Sequence, residues 1–323
     1  MDYNRYLEEA LRFYSFDEPA FEFIRHNENM TYKITDKSAR YLLRLHKPIA
    51  RNMEGTQTTP EAIRSELAFL LAWSAHSDLP VQTPVANNNG ELVTMIRISQ
   101  EEIPCTVLQW IDGDVLSMQE MNSEEEARTL GTRIAMLHRF SQSYEAGPNC
   151  IRPAYGTEWI HSMILKLRGG EERGILSGKD FHILERTMRL MIEWMTLWET
   201  NPETWGFIHA DINNSNLIRS PKGVSMIDFG LSGYGYYAMD LAMGALLVES
   251  KHRDALLAGY GSRMTGWLDH ARLEAFMFLA IVGYYTFVLS QPDKLSWIED
   301  HISGLIEHIC LPLLSSQRVF YTI

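Results

Sequence analysis

The chain has 323 residues, of which 46% are hydrophobic and 22% charged, as expected of a folded globular protein rather than a disordered one. Its 41 acidic residues outnumber its 29 basic residues, so the formal net charge is −12 and nucleic acid is disfavoured as the main ligand. The length exceeds what one small core needs and suits two lobes.

Cysteine usage and hydropathy indicate the compartment. Cys105, Cys150 and Cys310 are far apart and odd in number, which predicts no disulfide framework and favours a reducing environment. Charged residues occupy the N-terminus, where an export signal needs an apolar run. The apolar segment 276–289 is shorter than the ~20 residues that span a bilayer, so we interpret it as a buried core helix. These features predict a cytoplasmic protein that binds no membrane.

The first hundred residues carry strand signals. Segments 21–25, 30–35 and 39–46 are rich in aromatic, β-branched or aliphatic residues and are separated by polar turns, which predicts an antiparallel meander. A helix is predicted next, with Thr59 as N-cap, Pro60 at the first helical position and an apolar stripe. The stripe consists of Ile63, Leu67, Leu70 and Leu71. Two further strands are predicted at 92–98 and 106–111.

A turn-forming sequence at 111–114 marks the predicted boundary between an N-terminal lobe, 1–111, and a C-terminal lobe, 112–323. Beyond it the hydrophobic pattern becomes helical. Ser123 and Glu126 form a predicted capping box, and Asp180 is the predicted cap of a second long helix. The predicted fold class is therefore α+β, a small antiparallel β lobe followed by a larger, mostly helical lobe.

The strongest chemical signal is the pattern H-x-D-x-x-x-x-N at His209, Asp211 and Asn216, followed by a hairpin and D-F-G beginning at Asp228. Phosphoryl transfer needs a carboxylate near the attacking hydroxyl and oxygen ligands for Mg²⁺. Asp211 can accept or orient the hydroxyl proton, while Asn216 and Asp228 offer oxygens to the metal. We interpret His209 as a structural residue of the loop. The alternative is an Asn- and Asp-rich turn before an ordinary hairpin.

A second signal lies in the N-terminal lobe. Arg44 falls in the third predicted strand, and Glu66 borders the apolar stripe of the following helix, where a carboxylate is costly unless it is paired. A strand cation and a helix anion form the pair that positions nucleotide phosphates in kinase-like folds. Two unrelated surface residues are the alternative.

The glycine-rich phosphate loops G-x-G-x-x-G and G-x-x-x-x-G-K-[ST] are absent from the sequence. If the turn after the first strand covers phosphates, it does so with Asn29 and backbone N–H groups. A plain β-turn explains this asparagine equally well.

With these motifs, the chain resembles the aminoglycoside phosphotransferase and choline kinase-like family of small-molecule kinases, from about residue 20 to about 310. Besides the catalytic block, which extends to Asp240-Leu-Ala, four stretches carry the resemblance: 27–34, 41–45, Glu66 within IRSELAFL, and 130–138. The resemblance implies the protein-kinase-like two-lobe fold, a catalytic role for Asp211 and metal binding by Asn216 and Asp228. It also implies that Asp240 braces the catalytic loop.

The same resemblance places a hinge at 108–111, where Gln109 and Ile111 would bind adenine through the backbone. Arg44 stands where classical members have lysine, as in the homoserine kinase-like branch, and the catalytic block reads HAD where many members read HGD. Only nine residues separate D-F-G from Asp240, so no activation segment of the protein-kinase type fits, which favours a metabolite kinase.

The sequence thus predicts an ATP- and Mg²⁺-dependent kinase for a hydroxyl of a small molecule, such as an amino alcohol, an amino sugar or a hydroxy amino acid. GTP in place of ATP stays open. The alternatives are a protein Ser/Thr kinase and a non-catalytic nucleotide-binding scaffold. Four acids of the C-terminal lobe are candidates to face a cationic acceptor, or are simply solvated: Asp269, Glu274, Glu299 and Asp300.

Overall fold

The computed structural model describes residues 3–26, 28–48, 56–261, 269–291 and 294–323. The chain forms two compact units. Unit 1 consists of Met1–Asp114, Glu145–Pro153 and Ile218–Gly230. Unit 2 consists of Val115–Tyr144, Ala154–Leu217 and Leu231–Ile323. The catalytic Asp-Asn loop predicted from the sequence therefore belongs to unit 2, and the D-F-G segment to unit 1.

Unit 1 is built on an antiparallel sheet of strand order β1-β2-β3-β6-β4, with β5 paired to β6. Its elements are α1 Tyr3–Leu11, β1 Ala20–His26, β2 Met30–Asp36, β3 Ala39–Leu45, α2 Pro60–Ser74, β4 Pro84–Val85, β5 Thr94–Ile98 and β6 Glu101–Gln109. The predicted meander is confirmed as β1 to β3. Ile34 and Leu43 of the meander and Val107 of β6 form a buried core with Leu7 of α1.

Helix α2 begins as predicted. The Thr59 hydroxyl accepts a hydrogen bond from the N–H of Ala62 at 3.3 Å, and Pro60 occupies the first turn, where its missing N–H costs nothing. Ile63, Leu67 and Leu70 are buried. The prediction for Leu71 is wrong, because this side chain is 47% exposed: it lies one position beyond the buried face.

Unit 2 is mainly helical, with a two-stranded sheet in which β8 and β11 pair antiparallel. From 115 onward the helices are α3 Met118–Met121, α4 Glu124–Ser143, α5 Thr157–Glu172, α6 Gly178–Thr196, α7 Tyr237–Leu247, α8 Arg253–Gly261, α9 His270–Val288, α10 Leu295–Leu305 and α11 Leu311–Leu314. The strands from 114 onward are β7 Asp114–Val115, β8 Trp205–Ile208, β9 Leu217–Ser220, β10 Gly223–Met226 and β11 Gly233–Tyr236. The predicted hairpin is β9 and β10, so the predicted α+β class with a small antiparallel sheet is confirmed.

One predicted cap needs correction. The N-cap of α6 is Ser177, whose hydroxyl accepts a hydrogen bond from the N–H of Asp180, whereas Asp180 itself lies in the first turn. The apolar side chains on one face of this helix are buried: Phe181, Leu184, Met188, Met191 and Met195. Ser123 caps α4 as predicted, because its hydroxyl accepts from the N–H of Glu126 at 3.1 Å.

Helices α4 and α8 touch backbone to backbone at two glycines. A Cβ at Gly131 would lie 2.0 Å from the carbonyl oxygen of Leu256, and a Cβ at Gly259 would lie 2.1 Å from that of Arg128. Only glycine leaves room for such an approach. The contact brings Tyr260 of α8 next to His138 of α4.

Helix α9 contains the apolar segment singled out in the sequence. By length and composition it could cross a membrane, but 61% of its most apolar window is buried inside the protein, as in the core helix of a globular domain. The prediction of a buried core helix is therefore confirmed.

Candidate active site

The predicted catalytic loop follows β8 and begins at His209 and Ala210 in unit 2. Ala210 has φ of 61°, in the left-handed region that L-residues with a Cβ enter at a cost. The loop turns sharply there, which explains why glycine is common at this position in the family named above. His209 is fully buried, and its Nδ1 accepts the N–H of Asp211 at 3.2 Å.

A buried carboxylate holds the start of this loop. Asp240 of α7 accepts the N–H groups of His209 and Ala210, each at 2.8 Å, through different oxygens. His138 donates its Nε2 hydrogen to the same carboxylate at 3.0 Å, and Tyr260 hydrogen-bonds the other ring nitrogen, also at 3.0 Å. We call His138, Asp240 and Tyr260 the Asp240 cluster.

The pKa of Asp240 is lowered although the residue is fully buried. Burial acts to raise it, but the hydrogen bond and charge of His138, together with the charge and N–H of His209, outweigh burial and favour the ionised form. The Asp240 cluster is thus a satisfied network, and it fixes the backbone from which Asp211 projects.

Asparagine side chains orient the Asp211 carboxylate. Asn213 donates to one oxygen at 3.0 Å and Asn216 donates to the other at 2.8 Å. The Asn216 amide nitrogen also donates to the Asp211 carbonyl at 2.9 Å. With this nitrogen committed to Asp211, the Asn216 amide oxygen is the atom left for a ligand. Asn213 was not singled out from the sequence, because an x position in the motif carries no signal.

In unit 1, the β9–β10 hairpin returns to Asp228, which also has a left-handed backbone, with φ of 63°. The Asp228 N–H donates to the buried side chain of Gln82 at 3.0 Å. Its carboxylate pairs with Arg25 at 2.9 Å and stays partly exposed. Burial raises the pKa of nearby Glu28, and the charge of Asp228 raises it further.

Arg44 and Glu66 form the contact expected from the sequence. Arg44 Nη1 donates to Glu66 Oε1 at 2.8 Å, and both side chains are almost fully buried. Arg44 Nε donates to Thr106 at 3.3 Å, while Arg44 Nη2 is buried with no hydrogen-bond partner among the residues described. A buried guanidinium nitrogen without an acceptor is costly, and an anionic ligand oxygen satisfies it.

Sequence reasoning missed Arg152, whose side chain is buried in unit 1 beside Glu66. It lies in a loop, outside any spacing rule, and its sequence surroundings carry no motif. Its contacts reach the D-F-G segment, since it donates to the carbonyls of Phe229 and Gly230. The charges of Arg44 and Arg152, after burial, lower the pKa of His46 well below its ordinary value.

The hinge predicted at 108–111 continues from β6. The N–H groups of Gln109 and Trp110 donate to the carbonyls of Thr83 and Arg40 at 2.8 and 3.0 Å. Among the described residues, the Ile111 N–H has no such backbone acceptor. Asn29 is half-buried just before β2, while Asn27 lies outside the described residues.

The oxygen atoms and the cationic donor described above have the chemistry that a nucleotide with a divalent cation requires. Mg²⁺ is usually held by one or two protein ligands together with substrate phosphates, and no group of three or more His, Cys, Asp or Glu close enough to hold a metal alone occurs in the described part of the chain. The side chains of Asn216, in unit 2, and Asp228, in unit 1, each carry oxygens of the hard type that Mg²⁺ prefers. Arg44 Nη2 is a buried cationic donor that has no hydrogen-bond partner within the described ranges.

Two of the four acids predicted to be available for a cationic acceptor are occupied. Glu274 is buried, and its carboxylate accepts the N–H groups of Val319 and Phe320 at 3.0 and 3.1 Å, so it anchors the C-terminal segment. Asp269 caps α9 by accepting the N–H of Arg272 at 2.8 Å. Glu299 and Asp300 are exposed on α10.

Comparison with known structures supports the fold. The chain is similar to a microcompartment-associated aminopropanol kinase, with a TM-score of 0.80 and 23% identity over 97% of this chain and 98% of that one. It is also similar to the amicoumacin kinase hAmiN in complex with AMP-PNP, Ca²⁺ and Ami, with a TM-score of 0.76 and 16% identity over 95% and 94% of the two chains. For a Plasmodium vivax ethanolamine kinase the values are 0.62 and 16%, over 94% and 85%.

These structures share the protein-kinase-like two-lobe fold, so the predicted fold is confirmed. A comparison with curated protein sequences gives no match. The model of the phosphotransferase enzyme family matches residues 21–276, most of the chain, and spans the Arg44, Asp211, Asn216 and Asp228 positions. The chain therefore belongs to the phosphotransferase enzyme family, whose members include aminoglycoside phosphotransferases.

Proposed function

We propose that this protein transfers the γ-phosphate of ATP, with Mg²⁺, to a hydroxyl group of a small molecule that also carries an amine. The observation that carries the proposal is the Asp211 carboxylate, held by the side-chain amides of Asn213 and Asn216 on a loop that Asp240 fixes. Such positioning is what a group that orients an attacking hydroxyl requires.

Asp211 accepts the proton of the acceptor hydroxyl, or holds that hydroxyl in line with the phosphate. Its two amide donors fix the carboxylate so that little reorganisation is needed during reaction. His209 stabilises the loop by accepting a hydrogen bond from the Asp211 N–H. Asp240 stabilises it by accepting the N–H groups of His209 and Ala210.

Asn216 and Asp228 are the residues that would hold the metal. A bound Mg²⁺ neutralises phosphate charge and orients the transferred group. Arg25 pairs with the Asp228 carboxylate, which keeps this acid from lying uncompensated beside Glu28. The Asn216 amide contributes an oxygen without adding negative charge.

Arg44 binds a phosphate oxygen through Nη2, with Glu66 holding the other side of its guanidinium. Asn29 contributes at the turn before β2, and Gln109 and Ile111 bind adenine through the backbone. In this proposal the N-terminal lobe, 1–111, binds the nucleotide, and the lobe 112–323 supplies catalysis and the acceptor site. GTP is the alternative phosphate donor, and the transfer assay described below distinguishes it from ATP.

The proposal of an amine in the acceptor is supported by the similarity to an aminopropanol kinase and an ethanolamine kinase. The net charge of −12 favours a cationic substrate over an anionic one. We propose that the protein acts in the cytoplasm, because its cysteines are odd in number and far apart in the sequence, which favours a reducing environment.

The test is a transfer assay with ATP or GTP and Mg²⁺ against a panel of amino alcohols, hydroxy amino acids and aminoglycosides. Release of the nucleoside diphosphate and the mass of the phosphorylated product are both measured. We expect turnover with at least one amine-bearing alcohol and none with deaminated analogues of equal size. Transfer only to Ser or Thr of a peptide, or binding of nucleotide with no transfer to any acceptor, contradicts the proposal.

A further inference from the structure

Arg152 connects two parts of unit 1 that the motifs treat separately. Its Nη1 donates to the carbonyl of Ala62 in the first turn of α2 at 3.1 Å. Its Nη2 donates to the carbonyls of Phe229 and Gly230 at 3.2 and 2.7 Å. One planar guanidinium thus ties the helix that carries Glu66 to the D-F-G segment that carries Asp228.

The second observation concerns how Glu66 is shared. Its Oε1 accepts from Arg44 at 2.8 Å, while its Oε2 lies 3.9 Å from Arg152 Nη1. Arg44 and Glu66 therefore do not form the two-point pair that arginine and carboxylate often adopt. Instead the carboxylate faces two cations, and Arg44 keeps Nη2 without a partner among the described residues.

We propose that Arg152 is a positioning residue for nucleotide binding. It draws the second oxygen of Glu66 away from Arg44, which leaves Arg44 Nη2 for a phosphate oxygen, and it fixes the backbone on which Asp228 presents its carboxylate. The proposal rests on the proposed function, because it assigns a role in binding the nucleotide that this function requires.

The charge balance of this region supports the assignment. Arg44 and Arg152 bring two positive charges and Glu66 one negative charge, and all three side chains are almost fully buried. His46 stays neutral beside them, because burial and the charges of Arg44 and Arg152 lower its pKa. A buried excess of positive charge is costly unless an anion binds, and the phosphates of a nucleotide supply that anion.

Neighbouring contacts with α2 also hold the segments around Arg152 and Phe229 in position. The N–H of Ile151 donates to the hydroxyl of Ser65 on α2 at 3.0 Å. The ring of Phe229 packs against Phe69 of α2, with ring centroids 6.0 Å apart. Arg152 therefore does not alone hold α2 and D-F-G together, and a conservative variant retains part of the surrounding support.

The test compares Arg152→Lys with Arg253→Lys. Arg253 is a buried arginine of unit 2 that likewise donates to backbone carbonyls, those of Ala245, Phe320 and Ile323. None of these acceptors belongs to a proposed site residue. Lysine keeps the charge in both variants, but its single ammonium group cannot bridge carbonyls on separate segments as the guanidinium fork does. The readouts are thermal unfolding, the Kd of AMP-PNP with Mg²⁺, and the KM values for ATP and for the acceptor.

For Arg152→Lys we expect the Kd and the KM for the nucleotide to rise at least ~10-fold, with the acceptor KM within about two-fold of wild type. Arg253→Lys should lower the melting temperature without moving either nucleotide constant. Arg152→Lys with wild-type nucleotide affinity and only a lowered melting temperature overturns the proposal, since a merely structural residue gives that result.

A double-mutant cycle with Glu66→Gln tests the shared carboxylate. If Arg152 acts through Glu66, its substitution weakens nucleotide binding less in the Glu66→Gln background than in the wild type, and fully additive effects contradict this part. Binding of AMP-PNP is measured without an acceptor. A wild type that binds nucleotide but phosphorylates no alcohol therefore removes the proposed function, while the binding data still decide the role of Arg152.

Discussion

The two units each bury a polar cluster, and the clusters differ in how completely their hydrogen bonds are made. In the Asp240 cluster of unit 2, both carboxylate oxygens accept backbone N–H groups, and both nitrogens of His138 have partners. In unit 1, two arginines share Glu66, and a buried nitrogen of Arg44 has no partner among the residues described. A complete network stabilises a loop, whereas an incomplete network with excess charge favours an anionic ligand.

The largest expected effect lies on the loop that the complete network supports. Asp211→Asn keeps the shape of the side chain but removes its charge and its ability to accept a proton. We expect kcat to fall by ~10²–10⁴, or ~3–5 kcal/mol of activation free energy, because general-base assistance is typically of this size. Steady-state kinetics measure the effect.

Nucleotide affinity is the control for Asp211→Asn. The Kd of AMP-PNP with Mg²⁺ should stay within about two-fold of wild type, since Arg44 and the hinge residues are unchanged. Wild-type turnover in this variant would show that Asp211 does not act on the acceptor.

The next effect tests the stability of the Asp240 cluster. Asp240→Asn places an NH₂ group against backbone N–H donors and removes the charge that pairs with His138. Breaking a buried pair on one side costs ~3–5 kcal/mol, so we expect a loss of about that size in the free energy of unfolding, measured with denaturant. Glu249→Gln, which changes a solvent-exposed acid of the same unit, serves as the control.

The pH dependence of stability follows from the lowered pKa of Asp240. A carboxylate with a lowered folded-state pKa stabilises the fold above its unfolded-state pKa, which is about 4, and this contribution disappears as pH falls through the folded-state value. Acid unfolding below about pH 4 should therefore be steeper in the wild type than in Asp240→Asn. Equal slopes would show that Asp240 contributes nothing to acid sensitivity.

A smaller effect, on nucleotide affinity, is expected at the cluster of Arg44, Glu66 and Arg152 in unit 1, whose hydrogen bonds are incomplete among the described residues. Arg44→Lys keeps one charge but loses the fork that contacts Glu66 and Thr106 and that we propose to bind a phosphate. We expect nucleotide binding about tenfold weaker with partial activity retained. Isothermal titration with AMP-PNP and Mg²⁺ measures the change, and unaltered affinity would contradict the assignment of Nη2 to a phosphate.

The smallest effect concerns the backbone of the catalytic loop. Ala210→Gly removes the ~1–2 kcal/mol cost of a left-handed alanine but adds ~0.4–1 kcal/mol of unfolded-chain entropy. The free energy of unfolding should therefore rise by about 1 kcal/mol or less. Ala72→Gly, within α2, should lower it by ~0.5–1 kcal/mol. Destabilisation by both variants would show that Ala210 is not strained.

Local patterns predicted the elements around the site. Strand periodicity gave β1 to β3, and the Thr59-Pro60 pair gave the start of α2, because caps and turns depend on adjacent residues. The prediction of Asp180 as the cap of α6 was wrong. The cap is Ser177, and since both residue types cap helices, only the backbone conformation decides between them.

Of the contacts between residues distant in sequence, some could be predicted and others could not. The contact of Arg44 with Glu66 was predictable, because a carboxylate at the border of a buried stripe needs a partner. The position of Arg152 was not predictable, since the hydrogen bonds that place it go to backbone carbonyls, which every residue has and no sequence pattern marks. The grouping of Glu145–Pro153 and Ile218–Gly230 with the first 114 residues likewise depends on tertiary contacts that periodicity does not encode.

The glycine contact between α4 and α8 has a consequence for mutational tolerance. A side chain at Gly131 or Gly259 forces the two helices apart, which moves Tyr260 away from His138 and loosens the brace on the catalytic loop. In a saturation library selected for activity, both positions should therefore tolerate as little as the motif residues do. A fitness map of this kind would suggest a chemical role for both glycines, although what selection preserves there is the distance between two backbones.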